Sequence, residues 1–346
     1  MTIEKLLLIT DSWAPMMNGV VTTLQNTVDN LREVGIEVDV VHPYLYKTFP
    51  LPVYKDIGIP YGFKKNLIER LEKKNYDSVH IAVEGRLGWE ARSWLNKNKL
   101  NYTTAFHTNF PVYLKTYYGL PEFISHSLYF RKFHSKSARI MVPTPGMQEY
   151  LHNTGYKNLV LWSRGVDTNI FNSESRTNPM VNSLYRVKNP LTENPYILYV
   201  GRISAEKNIE AFLNIKTNLT KILVGDGPDR KKLEAKYPDA KFVGVKRDKE
   251  LAYFYANAKV FVFPSLSDTF GLVIIEALAC GTPVAALIAP NTRDIITKEV
   301  GCVNHDLTNA VEVAITKNRN TCEKYVSDYY TWQACTMQFY SNLVKI

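Results

Sequence analysis

Two acidic residues eight positions apart, Asp268 and Glu276, are the side chains of this sequence best placed to do chemistry. They belong to residues 264–283, which read PSLSDTFGLVIIEALACGTP. The carboxylate of Glu276 can accept hydrogen bonds from two neighbouring ribose hydroxyls, and Asp268, in the loop before it, can contact a sugar. An acidic residue near the start of a buried helix gives the same pattern, so the pair alone leaves a structural interpretation equally open.

The elements around the pair predict how it is presented. Residues 259–263, KVFVF, form a short β-branched and aromatic run that ends at a proline, which predicts a buried strand. Residues 272–280 then predict a helix that ends at Gly281. A turn from strand to helix directs backbone N–H groups and the positive end of the helix dipole towards a ligand, which favours phosphate. The candidate nucleotide-binding residues at this turn are Phe270, Gly271 and Leu272.

A second predicted strand is followed by two cations. Residues 195–207 read PYILYVGRISAEK, an apolar run that ends at Gly201 and continues with Arg202 and Lys207. Arginine offers a planar fork and lysine a point charge, which together suit a diphosphate. Each charge-assisted hydrogen bond contributes about 1.5 to 3 kcal/mol. Solvated loop charges have the same composition, but the position directly after a strand favours the diphosphate.

A third predicted strand, KILVGDGP at residues 221–228, ends in a glycine turn that contains Gly225 and Gly227. This G-x-G lacks the third glycine of a dinucleotide fingerprint, so a tight strand-to-helix turn explains it at least as well. The strand end FVGV that follows places Val245 and Lys246 where they could form a wall for a nucleotide base.

In this order the motifs resemble the donor half of a retaining glycosyltransferase of family four, and the resemblance covers nearly the whole chain. It implies the GT-B fold, an α/β architecture of two doubly wound, Rossmann-like parallel-sheet domains that face each other across a cleft. The mannosyltransferase-like and glycolipid-forming members are the most similar subgroup. The first acidic position of the family is usually Glu, whereas this chain has Asp268, which makes Asp268 the position to test for donor choice.

The amino-terminal half supplies further candidates. Residues 5–10, KLLLIT, predict a first strand, and a loop that reads DSWAPMMNG leads to an amphipathic helix over residues 20–34. Asn18 and Gly19 resemble the second half of the family's Gly-Gly pair, which implies a place under the donor phosphates and beside the acceptor. A glycine in an ordinary turn would look the same.

Three more residues follow strands or lie near the predicted hinge. His107 comes directly after the apolar TAF run and matches the family's active-site histidine, which implies a hydrogen bond to a sugar hydroxyl, although a lone histidine is more often structural. Glu84 follows the HIAV strand in the same way and is the candidate on the acceptor side. Arg164 opens an Arg-Gly-Val-Asp segment like that of the family hinge, which implies contact with the donor.

A polar segment divides the chain. Residues 173–194 are rich in Asn, Ser, Thr and Pro without an apolar period, which predicts an interdomain linker. Residues 1–172 are then the acceptor-side domain, and residues 195–329 the donor-binding domain. The last helix, at about residues 330–346, is expected to pack back onto the first domain, as in the family. The length of 346 residues and the hydrophobic content of 45% suffice for two cores.

The net charge of +9 is spread over the chain, with one denser basic patch. The members of this patch are Arg131, Lys132, Lys136 and Arg139. Such a patch could hold the protein against anionic lipid headgroups, each cation contributing about 1 kcal/mol, while a solvated helix face has the same composition. The sequence shows no recognisable nucleic-acid motif, so nucleic acid is not an expected partner.

Other features limit the class of protein. The four cysteines show no C-x-x-C spacing and are expected to be reduced core thiols. No apolar run approaches the roughly 20 residues of a membrane span, and no signal peptide is recognised, which predicts a cytoplasmic protein with a peripheral place on the inner membrane face as an option. We expect no metal or other cofactor, because no metal-binding cluster is visible in the sequence.

The resemblance implies transfer of a hexosyl group from GDP-mannose or a UDP-hexose to a hydroxyl of a lipid or glycan acceptor, with retention of the anomeric configuration. The expected catalytic residues are His107, Arg202, Lys207 and Asp268. Arg202 and Lys207 would stabilise the charge on the leaving diphosphate. Two alternatives share the fold or the pocket, namely a nucleotide-sugar epimerase or phosphorylase and a catalytically silent nucleotide-sugar binding protein.

Overall fold

The computed structural model describes residues 2–50, 58–73, 76–177 and 194–346. The chain divides into two compact units, one formed by Met1–Arg164 with Trp332–Ile346 and the other by Gly165–Thr331. Each unit is built on a six-stranded sheet whose strand pairs are all parallel, with helices between successive strands. The prediction of two doubly wound parallel sheets is thereby confirmed.

The first unit contains eight strands among its described residues. They are β1 (Lys5–Ile9), β2 (Glu37–Val41), β3 (Lys47–Pro50), β4 (Gly58–Tyr61), β5 (Ser78–Ile81), β6 (Thr103–Ala105), β7 (Arg139–Val142) and β8 (Leu159–Leu161). The sheet order is β2-β1-β5-β6-β7-β8, and β3 and β4 form a separate antiparallel pair. The chain therefore passes from one side of β1 to the other, and β1 and β5 meet at the point where the strand order reverses.

In the described part of this unit, seven helices lie between these strands. They are α1 (Gly19–Glu33), α2 (Lys64–Lys73), α3 (Arg86–Lys97), α4 (Phe110–Tyr118), α5 (Glu122–Ser125), α6 (Arg131–His134) and α7 (Pro145–Asn153). Helices α5 and α6 are joined by the π-helical turn His126–Phe130, so that α5, this turn and α6 form one continuous helical segment. The apolar residues of β1 are buried, as are Leu24, Val28 and Leu31 of α1, which explains the helical period of that segment.

The second unit repeats the design, with six strands and seven helices among its described residues. The strands are β9 (Tyr196–Val200), β10 (Thr220–Val224), β11 (Lys241–Phe242), β12 (Val260–Phe263), β13 (Val284–Leu287) and β14 (Gly301–Asn304), in the order β11-β10-β9-β12-β13-β14. The helices are α8 (Ile209–Leu213), α9 (Arg230–Lys236), α10 (Asp248–Asn257), α11 (Leu272–Ala279), α12 (Pro290–Ile295), α13 (Leu307–Ala314) and α14 (Arg319–Tyr329). Alternate residues of β9 enter two separate apolar clusters, because successive side chains of a strand point to opposite faces of the sheet.

The last helix, α15 (Trp332–Asn342), belongs to the first unit. The hydroxyl of Tyr340 accepts a hydrogen bond from the backbone N–H of Ile3 at 3.0 Å and donates to its carbonyl at 3.1 Å. Phe339 is fully buried, with its ring centroid 4.7 Å from that of Trp162. Aromatic packing and hydrogen bonds therefore hold this helix on the first sheet.

The structure divides the chain between Arg164 and Gly165. Val166 donates a backbone hydrogen bond to Tyr330 at 3.0 Å, which keeps the segment after Gly165 with the second unit. Of the predicted linker, residues 178–193 lie outside the described residues, and Ser173–Thr177 form a short 3-10 turn.

Two further expectations concern membranes and cysteines. Among the described residues, every helix is too short or too polar to cross a lipid bilayer. The four cysteines form no disulfide; Cys280, Cys322 and Cys335 are buried and Cys302 is partly exposed.

Candidate active site

The carboxyl ends of β9 and β12 lie where the strand order of the second unit reverses. These strands are neighbours, and the chain continues from them in opposite directions across the sheet, to β10 and to β13. In open parallel sheets a crevice forms where the strand order reverses in this way, and ligands bind there. Two loops border this point, residues 201–208 after β9 and residues 264–271 after β12. Of the predicted site residues, these two loops contain Gly201, Arg202, Lys207, Asp268, Phe270 and Gly271.

Three polar contacts join the two loops. Asn208 Nδ2 donates to the carbonyl of Pro264 at 3.2 Å, and Ser267 Oγ donates to the carbonyl of Glu206 at 3.0 Å. In the third contact, Lys207 Nζ lies 2.5 Å from Asp268 Oδ1. The loops are therefore fixed against each other by the protein's own groups.

The Lys207–Asp268 ion pair joins two of the predicted catalytic residues. The two side chains are only 18% and 19% exposed, so the pair is shielded from water on most sides. An ammonium group carries three N–H donors, so the contact with Asp268 is compatible with hydrogen bonds to a phosphate. Asp268 Oδ2 is buried and accepts no hydrogen bond from the described residues, which leaves an acceptor beside the ammonium.

The glycines of the β9 and β10 loops allow two backbones to approach closely. A Cβ on Gly225 would lie 1.9 Å from the carbonyl oxygen of Gly201, and a Cβ on Gly227 would lie 2.2 Å from that of Ile203. Gly201 and Gly225 have φ values of 149° and 136°, which other residues rarely adopt. These glycines therefore shape the loop that carries Arg202, whose side chain is exposed.

The turn that leads into α11 is stabilised by a glycine cap and by a hydrogen bond from a buried asparagine. Gly271 has φ 92° and caps the helix, which begins at Leu272. Phe270 is 4% exposed, and its carbonyl accepts a hydrogen bond of 2.7 Å from Asn291 Nδ2. Asn291 itself is fully buried at the start of α12. Sequence reasoning overlooked Asn291, because nothing local to it indicates contact with a turn 21 residues away.

Glu276 lies one turn inside α11 and is only partly exposed. Its Oε2 accepts a hydrogen bond of 3.0 Å from the hydroxyl of Tyr255, a residue of α10. Burial raises the pKa of Glu276 to about 7, and the hydrogen bond from Tyr255 opposes that rise. The carboxyl group therefore titrates close to neutral pH, where a change of environment alters its charge.

The segment after β11 lies beside the end of β10. Gly225 donates a backbone hydrogen bond of 2.9 Å to the carbonyl of Gly244, which fixes the position of the two residues that follow. Val245 is 55% exposed, and Lys246 Nζ lies 2.8 Å from Glu250 Oε1.

In the first unit, Arg164 contacts His107. One guanidinium nitrogen of Arg164 lies 3.2 Å from His107 Nδ1, while the other donates to the backbone carbonyls of Trp162 and Ser163 at 2.5 and 2.9 Å. The guanidinium also lies 4.5 Å from the centre of the Trp162 ring. Because a guanidinium only donates, Nδ1 of His107 must accept, and the proton of the neutral ring sits on Nε2. Burial, helped by the charge of Arg164, holds the pKa of His107 well below its usual value.

The carboxylate of Glu84 is engaged inside the first unit. Glu84 Oε1 lies 3.0 Å from His134 Nε2, and His134 Nδ1 lies 2.8 Å from Thr104 Oγ1. Glu84 and His134 are 5% and 1% exposed. The pair couples the end of β5 to α6 and gives Glu84 a structural role in the described residues.

The loop after β1 contains Asn18, which caps α1, and Asp11, a carboxylate that was not among the predicted site residues. Asn18 Oδ1 accepts hydrogen bonds of 3.0 Å from the N–H groups of Val20 and Val21, so Asn18 caps α1, which begins at Gly19. Asp11 caps α3 instead, accepting from Leu87 at 3.0 Å and Gly88 at 3.1 Å.

Asp11 is buried enough to titrate far from its usual range. Desolvation raises its pKa to about 6, although the backbone hydrogen bonds oppose the rise. A Cβ on Gly85 would lie 2.2 Å from Asp11 Cγ, so the carboxylate sits where only glycine leaves room. The signal in the sequence was the acid directly after the first strand, together with the glycine that ends the β5 loop.

No group of three or more His, Cys, Asp or Glu side chains in the described part of the chain is arranged to hold a metal ion. The candidate site residues with ionisable side chains are carboxylates, cations and the neutral histidine His107.

Known proteins resemble this chain over most of its length. A family model described as Glycosyltransferase Family 4 matches residues 17–170, and one described as Glycosyl transferases group 1 matches residues 182–324. The chain is 28% identical to the sulfoquinovosyl transferase SQD2 of Arabidopsis thaliana, over 92% of this chain and 69% of that protein. It is also 28% identical to a GDP-mannose-dependent alpha-mannosyltransferase of Mycobacterium tuberculosis, over 88% and 86%.

Two more proteins extend the comparison. The alpha-monoglucosyldiacylglycerol synthase of Streptococcus pneumoniae is 26% identical over 93% of this chain and 80% of that protein. Among solved structures, sucrose-phosphate synthase from Thermosynechococcus elongatus has the same fold, with a TM-score of 0.74 and 20% identity over 97% of both chains. The two family matches fall on the two parallel-sheet units in turn, and the ordered motifs agree with them. The chain belongs to the family four glycosyltransferases, with the GT-B architecture of two parallel-sheet units.

Proposed function

We propose that this protein transfers a hexosyl group from a nucleoside-diphosphate sugar to a hydroxyl of a lipid or glycan acceptor, with retention of the anomeric configuration. The observation that carries the proposal is the Lys207–Asp268 pair at the carboxyl ends of β9 and β12, where the strand order reverses. A cation and an acid held side by side match the two parts of such a donor, its diphosphate and its sugar.

Each part of the donor has its own group in the second unit. Lys207 and Arg202 bind the diphosphate, and Asp268 binds a hydroxyl of the transferred sugar. Glu276 accepts the two hydroxyls of the ribose, and Val245 with Lys246 borders the base. Gly201, Gly225 and Gly227 serve this site indirectly, because they let the loops pack closely enough to carry these side chains.

The first unit supplies the histidine and the acceptor side. His107 carries its proton on Nε2 and remains neutral, so it donates a hydrogen bond to a sugar hydroxyl without adding a charge. Arg164 acts on the donor through His107, since its guanidinium is 3% exposed and bound to that ring. We assign the acceptor to the α1 end, at Asn18 and Gly19, because the carboxylate of Glu84 is engaged with His134.

The reaction breaks the bond between the sugar C1 and the diphosphate oxygen and forms a bond between C1 and the acceptor oxygen on the same face. The electron pair of the broken bond stays on the diphosphate, and that oxygen takes the acceptor's proton. Lys207 and Arg202 stabilise the charge that develops there, a role that gains value when water is excluded. No protein base is needed in this scheme.

The named relatives guide the choice of substrates. One is GDP-mannose-dependent and another makes a monoglucosyldiacylglycerol, so we propose GDP-mannose as the first donor to test, a UDP-hexose as the second, and a lipid hydroxyl as the acceptor. A thermal-shift screen of nucleotide sugars should show one that raises the melting temperature, since binding to the native state stabilises it.

Analysis of the product then identifies which reaction the protein catalyses. The donor identified in the screen is incubated with diacylglycerol or glycan acceptors, and mass spectrometry follows the glycosylated product while NMR reads its anomeric configuration. An α-configured product from an α-configured donor supports the proposal. An isomerised nucleotide sugar or a free sugar phosphate as the only product would contradict it and would indicate an epimerase or a phosphorylase.

We also propose that helices α4 to α6 of the first unit contact an anionic membrane surface. Three apolar side chains there are highly exposed: Tyr118 at 64%, Phe123 at 72% and Leu128 at 71%. Lys132 and Lys136 are exposed beside them in sequence. Apolar side chains that enter the headgroup region, with lysines at its surface, are the usual combination for peripheral binding.

The other two members of the basic patch are bound to the protein. Arg139 donates to the carbonyl of Ser341 at 3.0 Å, and Arg131 donates to that of Thr154 at 3.4 Å. The membrane proposal therefore rests mainly on Lys132 and Lys136, which keep their charge exposed.

Sedimentation with vesicles tests the membrane proposal. Binding to vesicles that contain phosphatidylglycerol should fall several-fold in Lys132→Gln/Lys136→Gln, while Lys231→Gln/Lys232→Gln, a pair of exposed lysines on α9, serves as the matched control. Phe123→Ser/Leu128→Ser should weaken binding even at high salt. Equal losses in both lysine pairs would show a general charge effect and would refute the assignment to this surface.

A further inference from the structure

Tyr255 is a fully buried residue of α10 whose hydroxyl lies 3.0 Å from Glu276 Oε2. Its ring packs against Phe261 and Phe171, with centroid distances of 5.5 and 6.1 Å. Its own carbonyl accepts a hydrogen bond of 2.5 Å from Thr282 Oγ1. Both ends of the residue are thus fixed, so the phenol points at the carboxylate in one orientation.

This phenol acts only as a donor to Glu276. Burial and the nearby carboxylate raise the pKa of Tyr255 well above its usual value, so its proton remains in place at any working pH. One lone pair of Glu276 Oε2 is occupied by this hydrogen bond. The remaining acceptor sites of the carboxylate, Oε1 and the second lone pair of Oε2, are the ones that can take the two hydroxyls of a ribose.

We propose that Tyr255 is a positioning residue, which orients the carboxylate of Glu276 and favours its ionised form so that it can accept the donor's ribose. The inference rests on the proposed contact between Glu276 and the ribose. It adds a residue to the donor site from the helix before β12, which none of the sequence motifs includes.

The effect of the Tyr255 hydroxyl on the ionisation of Glu276 can be measured, because Glu276 titrates near neutral pH. Tyr255 of α10 and Cys280 of α11 interact electrostatically with Glu276, Tyr199 of β9 interacts with Tyr255, and Arg319 and Glu323 of α14 interact with Cys280. Burial raises the pKa of Glu276 to about 7, and the hydrogen bond from Tyr255 lowers it. Without that hydroxyl, the pKa of Glu276 should lie higher still.

Donor binding is therefore linked to the release of a proton. Ribose hydroxyls donate to the ionised carboxylate, so a protonated Glu276 must lose its proton before it can accept both. Below the pKa of Glu276, affinity should fall by up to about tenfold for each pH unit. Above this pKa, affinity should be independent of this group.

Calorimetric titration with GDP and UDP tests the coupling. Each titration is run from pH 6 to 8 in buffers of different ionisation enthalpy, which counts the protons released. The wild type should release a fraction of one proton near pH 7. Tyr255→Phe should bind about fivefold to tenfold more weakly at pH 8, and the midpoint of its pH profile should move upwards.

A second tyrosine provides the matched control. Tyr196 is 2% exposed in the same unit, and its hydroxyl donates to the backbone carbonyl of Phe254 at 2.8 Å instead of to a carboxylate. Tyr196→Phe removes a buried hydroxyl at a similar cost in stability, and it should leave the pH midpoint unchanged. A shift in Tyr255→Phe alone therefore reports on Glu276 and not on general loosening of the fold.

Glu276→Gln separates this inference from the function on which it rests. If Glu276→Gln weakens binding and removes the proton release while Tyr255→Phe behaves as the wild type, the positioning role is refuted and the ribose contact stands. If Glu276→Gln binds GDP and UDP as tightly as the wild type, or if the wild type binds neither, the ribose contact fails and the inference with it.

Discussion

Replacement of Lys207 by alanine should remove most of the catalytic activity and leave a folded protein. The ammonium lies 2.5 Å from Asp268 Oδ1 and is 18% exposed, so it acts where water is largely excluded. A charge-assisted hydrogen bond is worth about 1.5 to 3 kcal/mol, and loss of one preorganised stabiliser of transition-state charge costs about 100-fold to 1,000-fold in rate. We expect kcat/KM of Lys207→Ala to fall about 100-fold, mostly through kcat.

The same change also leaves Asp268 without its cation, which could lower activity by disturbing the loops. A double-mutant cycle with Asp268→Ala separates the two effects, because residues in contact do not contribute additively. If Lys207 serves only to neutralise Asp268, adding Lys207→Ala to the Asp268→Ala background should leave the affinity for GDP unchanged. If Lys207 binds the diphosphate, Lys207→Ala should weaken GDP binding in that background as well, even where the melting temperature recovers.

Two assays read the result. Release of nucleoside diphosphate at saturating acceptor gives kcat and KM, and calorimetry compares the affinities for GDP and GMP. The preference of the wild type for the diphosphate should largely disappear in Lys207→Ala, because the lost contact is to the second phosphate. A value of kcat/KM within threefold of the wild type, or a preserved preference for GDP, would refute the assignment of Lys207.

Three other outcomes follow from single contacts. Gly225→Ala should lower the free energy of unfolding by more than about 3 kcal/mol, because its Cβ would lie 1.9 Å from a carbonyl oxygen. Gly35 has a positive φ but open space around it, so Gly35→Ala should lower that free energy by only about 1 kcal/mol. Chemical denaturation measures both values. Asn291→Ala should lower stability by about 1 to 3 kcal/mol and raise KM for the donor, since the carbonyl before the α11 turn loses its partner. In Arg164→Met, NMR titration should show a higher pKa for His107 that stays below 6.5, because burial is the larger cause of the depression. Since the folded pKa of His107 lies below its unfolded value of about 6.5, its contribution to stability is complete above that pH and lost on acidification.

Local patterns in the sequence were sufficient to predict the strands and the turns that follow them. The run before Pro264 forms β12, and the predicted helix after Gly271 is α11, which ends at Ala279. Such elements depend on neighbouring residues, since a β-branched run, a glycine turn and a helix-forming stretch each act over a few positions. Glu276 could be recognised as a candidate because its place in the helix is fixed by this local pattern.

Contacts between distant residues could not be predicted in the same way. Glu84 and His134 are 50 residues apart, and Asp11 reaches the start of α3 across 76 residues. A single sequence gives each side chain's chemistry but not which partner the fold brings to it. Glu84 therefore looked like an acceptor-side acid, although its carboxylate is engaged with a buried histidine.

Arg164 shows how a contact between distant residues changes the role that is inferred for a side chain. Its position in the Arg-Gly-Val-Asp segment implies contact with the donor, whereas its guanidinium is buried in the first unit and bound to His107. The arginine then determines which nitrogen of the histidine carries a proton. Its contribution to transfer would be indirect, through the tautomer and charge of that ring.

Asp268 and Glu276 share one arrangement. Asp268 is held by Lys207 and Glu276 by Tyr255, so each of these carboxylates has a hydrogen-bond donor from the protein on one of its oxygens. In the proposed site, that donor would fix the carboxylate before the ligand arrives, which would reduce the entropy lost on binding. It would also leave the remaining lone pairs of each acid to the ligand's hydroxyls. The partners of the acids differ, because Asp268 is paired with a cation, whereas Glu276 is paired with a neutral phenol and titrates near neutral pH.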